Sequence, residues 1–269
     1  MARREVDLPR FVPWEGIGGL RAAILETHEQ GEHVSVFGPT GLGKTTVSLD
    51  LLAGFHDLGG HCVILANKPR DRALSELLRA HPTQWSRIKE WPPDYGDRIK
   101  RGLVLWPDYP GTNDAARKKV AGVLRRAIDA IMREGAWYVF LDEANYLVEQ
   151  LGLKRYLDEL WQQSRSSDVS VIAGAQRPVW TSKGMTTQQK WVLAFRPDSD
   201  DDADAVGRSL GGRARWGPVL EDLPYRRFIC AYLPRRLYYV STVRTTTGVE
   251  AGGASGGGPV QDRPAAGRR

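Results

Sequence analysis

The stretch VSVFGPTGLGKTTVSLDLL, residues 34–52, limits the fold more than any other part of the chain. An apolar β-like run leads into a loop with three glycines, a lysine and two threonines follow, and the apolar residues beyond recur at helical spacing. Gly38, Pro39, Thr40, Gly41, Leu42, Gly43, Lys44 and Thr45 fill the pattern G-x-x-x-x-G-K-[ST] at every fixed position. Glycine lets the backbone turn so tightly that successive N–H groups face one anion, and the helix that follows adds its positive end. The pattern therefore describes a triphosphate loop running from Gly38 to Thr46. Lys44 is expected on the β- and γ-phosphates and the Thr45 hydroxyl on Mg²⁺.

The rest of the chain suits such a loop. HVSVF (33–37), HCVILAN (61–67), GLVLW (102–106), WYVFLDE (137–143) and VSVIAGAQ (169–176) are strand-like and mostly lack polar alternation, as in a parallel sheet buried on both faces. Val120, Val123, Leu124, Ala127, Ile128 and Ile131 share one helical face, with Asn113 or Asp114 as its cap. Leu153, Tyr156, Leu157, Leu160 and Trp161 share another. Strands alternating with amphipathic helices predict a doubly wound α/β fold of the P-loop NTPase type, RecA-like, with a mostly parallel sheet. After the strand in WVLAFRP the pattern changes to an acidic DSDDDAD, then RRFICAYL and RRLYYVSTV, expected as a closing β-hairpin. The expected organisation is an N-terminal extension over 1–32, an ATPase domain over 33–244 and a tail over 245–269, whose Gly, Ala and Pro cannot offset the entropy of ordering.

In WYVFLDEA, Asp142 and Glu143 stand at the C-terminal end of a strand, where open α/β sheets bind ligands. Asp142 is the second expected magnesium ligand, and Glu143 the base for the attacking water. NKPRD (67–71) has one residue too many for a guanine-reading N-K-x-D, so the nucleotide expected is ATP.

SRSSDVSVIAGAQRP (164–178) narrows the family. A strand ending in Gln-Arg-Pro, preceded by a helix that ends in an arginine, resembles the FtsK/HerA superfamily of DNA-pumping P-loop ATPases. The resemblance spans about 34–195 and includes three motifs in order. It implies that Gln176 senses the γ-phosphate and that its strand lies beside the acidic one. Arg165 is implied as the arginine finger inserted into a neighbouring subunit's site, with Arg196 as the competing choice. Ala175 and Ser170 depart from the threonine and histidine that the superfamily often has there, and the resemblance is to its compact members.

Those members imply a homo-oligomeric ring, a hexamer by resemblance, that moves double-stranded DNA in packaging, conjugative transfer or segregation and docks on a portal, a relaxase or another protein. The alternative is an ATPase of protein assembly, similar to the phage morphogenesis proteins related to zonula occludens toxin, without DNA contact. A net charge of +6 suits a polyanion and equally a solvated basic surface. Two loops mix basic and aromatic residues as DNA contacts do: 89–101, with Trp91, Tyr95, Arg98, Lys100 and Arg101, and 180–190, with Lys183 and Lys190. Phe11 or Trp14 is placed either to stack on adenine or to pack in the core. With 41% hydrophobic residues, no apolar run of membrane-spanning length and no apolar segment behind the basic MARREVDLPRF, the protein is expected in the cytoplasm without membrane insertion. Cys62 and Cys230 lie in apolar runs, as reduced core residues do.

Overall fold

Every strand-like run becomes a strand of one sheet in the computed structural model, which describes residues 8–94, 96–97, 100–109, 111 and 113–243. The tail over 245–269, the first seven residues, Tyr95 and Arg98 lie outside the described residues. In chain order the strands are β1 (His33–Phe37), β2 (His61–Leu65), β3 (Trp85–Ile88), β4 (Gly102–Leu105), β5 (Trp137–Leu141), β6 (Ser170–Ala175), β7 (Trp191–Phe195), β8 (Arg227–Tyr232) and β9 (Leu237–Thr242). Their order across the sheet is β3-β4-β2-β5-β6-β1-β7-β8-β9. Pairing is parallel from β3 to β7 and antiparallel for β7-β8 and β8-β9. The expected hairpin is therefore present, and it extends the main sheet instead of standing apart from it.

Continuous apolar runs are what two covered faces require. On one face lie α1 (Leu20–Thr27), α2 (Lys44–Asp57) and α3 (Arg72–Ala80), whose Ile24, Val47, Leu51, Phe55 and Leu74 pack with Val36, Ile64 and Phe140 of the sheet. The other face carries α4 (Asp114–Glu134), α5 (Ala144–Glu149), α6 (Lys154–Gln163), α7 (Lys183–Thr187), α8 (Asp200–Ser209) and α9 (Arg213–Glu221). The expected stripe of α4 is buried there, together with Leu157, Leu160 and Trp161 of α6. Asn113, not Asp114, caps α4: its side-chain oxygen accepts the Ala116 N–H at 2.9 Å, while Asp114 sits in the first turn, where the helix dipole favours a carboxylate. Cys62 and Cys230 are free and buried, and burial pushes both thiols up.

The acidic DSDDDAD forms the start of α8. Ser199 caps it through the Asp202 N–H at 3.3 Å, and three aspartates occupy the first turn. Upstream of α1, the chain runs beside β9: Phe11 bridges Val240 in parallel, the Val12 N–H donates to the Val240 carbonyl at 2.9 Å and the Val240 N–H to the Arg10 carbonyl at 3.0 Å. Trp14 is buried edge-on to Phe228 at 5.6 Å, and its indole N–H donates to Asp50 at 2.6 Å. Of the two readings of Trp14, packing is the one realised.

β5 and β6 approach closely where the acidic pair begins. A Cβ on Gly174 would lie 2.5 Å from the Asp142 carbonyl oxygen, so only glycine fits that position without displacing the backbone that carries Asp142. Gly174→Ala is expected to cost about 1–3 kcal/mol of stability, measurable by urea unfolding, because an inserted methyl has to push two strands apart.

Candidate nucleotide site

The loop over 38–43 joins β1 to α2 at the C-terminal edge of the sheet. Gly38 at φ 143° continues the ladder by donating its N–H to the Ala175 carbonyl at 3.2 Å, and a Cβ there would meet the Phe195 Cβ at 2.6 Å. Gly43 caps α2 at φ 108°, a left-handed conformation, and as glycine it offers no side-chain cap to the N–H groups of the first helical turn. Those N–H groups and the positive end of α2 suit a phosphate chain. Lys44 is buried and donates to the Pro39 carbonyl at 2.9 Å. Burial pushes its ammonium below the usual lysine range, against the pull of Glu143 and Asp142.

Thr45 and Asp142 meet above β6, where the Thr45 hydroxyl donates to Asp142 Oδ1 at 2.6 Å. Two hard oxygen donors on facing elements fit Mg²⁺, which uses few protein ligands and completes its shell with phosphate and water. Among the described residues no cluster of three or more His, Cys, Asp or Glu side chains is placed to hold a metal. Glu143 follows at the start of α5, with Oε1 facing the Gln176 N–H at 3.4 Å. Burial raises the Glu143 carboxyl above the usual range, with the Gln176 N–H and Lys44 opposing it. A base with a raised pKa is better matched to taking a proton from water near neutral pH.

Glu143 and Gln176, from adjacent strands, are thus joined directly. Gln176, Pro39, Thr40, Leu42 and Arg196 line one cleft of about 570 Å³ at the mouth of the loop, so Arg196 sits beside the loop of its own chain. Thr46 is exposed on the first turn of α2. Arg165 is not in this group. It lies on a one-turn 3₁₀ helix (Ser164–Ser167) before β6, exposed, and the six residues of β6 at ~3.3 Å each put it about 20 Å from Gln176.

The turn that carries Arg165 is tied to β1 by buried polar groups. The Val171 N–H donates to His33 Nδ1 at 3.2 Å, His33 Nε2 meets the Ser164 hydroxyl at 3.2 Å, and Ser170 meets His28 at 3.0 Å. An imidazole that accepts an N–H is neutral, and burial pushes His33 down to about 4 and His28 to about 3.

The basic loops are less available than their composition suggests. Lys100 donates to the Pro82 carbonyl at 2.9 Å, Arg101 to the Gly59 carbonyl at 3.2 Å, and Trp91 is buried against Trp137. Lys190 is paired with the buried Glu32 at 3.0 Å. Lys183 remains exposed on α7, close in sequence to Trp180, over whose exposed ring the Arg177 guanidinium stacks at 4.6 Å.

Two site residues escaped the sequence reading. Asn67 donates to the Glu143 carbonyl at 3.0 Å, and Lys68 pairs with Asp142. Both come from the stretch dismissed as a defective guanine motif. Their signal was the one that located Asp142: polar residues immediately after an apolar strand.

No protein-family model matches the chain, and no curated protein matches it in sequence. Solved structures do match. The DNA-packaging ATPase B204 from Sulfolobus Turreted Icosahedral Virus has a TM-score of 0.57 at 14% identity over 79% of this chain and 98% of its own. VirB4 of Thermoanaerobacter pseudethanolicus has 0.60 at 10% identity, over 80% and 89% respectively. For the bacterial conjugative coupling protein TrwBΔN70 the values are 0.54, 12%, 91% and 95%. The chain has the P-loop NTPase fold of these solved structures.

Stability should fall in acid with a defined sign. Unfolded histidine takes up protons below its ordinary value of 6.5, whereas His33 and His28 in the folded protein refuse them until about 4 and 3. Urea midpoints are expected to drop as pH falls from about 6.5 toward 3, and His33→Gln is expected to flatten that slope.

Proposed function

Starting from that fold, we propose that the chain is an ATP-hydrolysing motor that moves along double-stranded DNA as a homo-oligomer. The observation that carries the hydrolytic part is the contact between the Gln176 N–H and Glu143 Oε1, beside Thr45 and Asp142. It links the expected base to the strand end expected to sense the γ-phosphate. The DNA part draws support from solved proteins of the same fold, described as a DNA-packaging ATPase and a conjugative coupling protein. Nucleotide binding draws support from the related B204 of the second turreted virus, seen with AMPPCP and with ATP-gammaS.

In this reading the N–H groups of the 38–46 loop hold the phosphates, and Lys44 leaves the Pro39 carbonyl to neutralise the β- and γ-oxygens. Thr45 and Asp142 would hold Mg²⁺, which when bound offsets phosphate charge. Glu143 orients a water and takes its proton, kept in place by Gln176. Gln176 and Glu143 move together because they share a hydrogen bond, and the chain after Gln176 leads directly to Arg177 and the exposed Trp180. Hydrolysis thereby shifts a surface loop. Among the described residues no helix is long and apolar enough to cross a membrane.

Arg165 acts in trans. It stands at the opposite end of β6 from its own loop, too far to reach those phosphates, but exposed and braced by the His33 network so that it can be presented to a neighbour. Arg165→Ala should leave nucleotide binding intact and lower turnover by about 10³–10⁵-fold. Arg196→Ala should instead weaken binding of a fluorescent ATP analogue by isolated subunits, since Arg196 lines the cleft in cis.

Turnover by the motor should rise with long duplex DNA and lose that stimulation as salt increases. Glu143→Gln should bind ATP and hydrolyse it about 10²–10⁴-fold more slowly. Hydrolysis indifferent to duplex at every salt concentration would transfer the chain to the assembly-ATPase reading.

A further inference from the structure

Asp142 has two carboxylate oxygens and both are engaged by side chains. Oδ1 accepts from the Thr45 hydroxyl, and Oδ2 from the Lys68 ammonium. Asp142 is only 7% exposed, so its charge needs a partner. Lys44, a second cation of the site, is turned to the Pro39 carbonyl. Lys68 therefore supplies the counter-charge in direct contact, with Lys44 acting from farther away.

The backbone of Lys68 is fixed. Its carbonyl accepts the Trp106 indole N–H at 2.8 Å, and its neighbour Asn67 is bonded to the Glu143 carbonyl. The Lys68 side chain is 43% exposed, and its ammonium has a second carboxylate within ion-pair reach, Asp71 Oδ2, at 3.8 Å. Asp71 itself is held in place by accepting the Leu74 N–H at 3.0 Å as the cap of α3. A fixed base and two carboxylates in reach, the metal ligand and one beside it, describe a side chain with two resting places. A hard divalent cation and an ammonium compete for the same carboxylate.

We propose that Lys68 is a positioning residue that holds Asp142 in place of magnesium, withdraws to Asp71 when the metal takes the carboxylate, and so sets the metal affinity of the site. The proposal rests on the assignment of Thr45 and Asp142 as the magnesium ligands. Neutralised by Lys68, the site has little attraction for a free cation and admits magnesium together with the nucleotide that brings it. Asp71 keeps the displaced ammonium from lying unpaired.

Binding of Mn²⁺ alone, followed by the loss of its free-ion electron paramagnetic resonance signal, tests this directly. Lys68→Met should bind Mn²⁺ at least tenfold more tightly than the wild type, and Lys68→Arg, which keeps the charge, should behave like the wild type. Adding Asp142→Asn to Lys68→Met should abolish the gain. Asp71→Asn keeps an oxygen to cap α3 but removes the second resting place, and should weaken Mn²⁺ binding severalfold even if Lys68→Met fails to fold. Equal Mn²⁺ affinity in wild type and Lys68→Met overturns the proposal, as does an unchanged affinity in Asp71→Asn. Wild-type binding of a fluorescent ATP analogue is measured alongside. Its failure would remove the motor reading, whereas the competition for Asp142, scored on the metal alone, would stand or fall on its own result.

Discussion

The hydrogen bond between Thr45 and Asp142 is the constraint around which the molecule is organised. It joins the start of α2 to the end of β5 over a strand that belongs to neither, because β6 lies between β1 and β5. Two short polar side chains meet at 2.6 Å only if the three strands are held in a fixed register. The register provides this: Phe37 pairs with Ala175 on one side of β6, and Leu141 pairs with Ala173 on the other. The glycines follow from the same demand. Gly38 passes against Phe195 and Gly174 against the Asp142 carbonyl, so each stands where a side chain would separate elements that have to touch.

Much of this was legible in the sequence because the signals were local and strong. Strands buried on both faces carry no polar interruptions, and the five expected apolar runs became β1, β2, β4, β5 and β6 with their ends shifted by at most two residues. The stripe of α4 was legible from its 3.6-residue period. β3 was missed because four residues, WSRI, give too short a pattern to separate from a loop. α8 and α9 were missed for another reason: an acidic run suggests a solvated loop, and only a capping serine ahead of it distinguishes a helix start. In α9 the interior Pro218 argues against the helix that tertiary packing nevertheless enforces through Trp216 and Leu220.

The site divides along the same line. Residues belonging to a contiguous motif, from Gly38 to Thr46 and then Asp142 and Glu143, could be named before any coordinates. Lys68 and Asn67 could not be given a role, because theirs depends on β2 lying directly beside β5, a neighbour relation across more than 70 residues of chain. The surface charges were the least legible. Lys190 reads as a free cation in sequence and is committed to Glu32 in the fold, and Lys100 and Arg101 are spent on backbone carbonyls. Whether a lysine is available depends on what stands near it, and neither composition nor spacing reports that.

The pairing of residues 10–12 with Val240 bears on how copies of the chain can associate. A bare outer strand presents a row of unfilled N–H and C=O groups that invites another molecule to continue the sheet. On this flank the first described segment already occupies part of that row. Strand addition is obstructed at Val240 of β9, so a partner approaching there meets side chains and loops, contacts that can loosen and re-form without unzipping a backbone ladder.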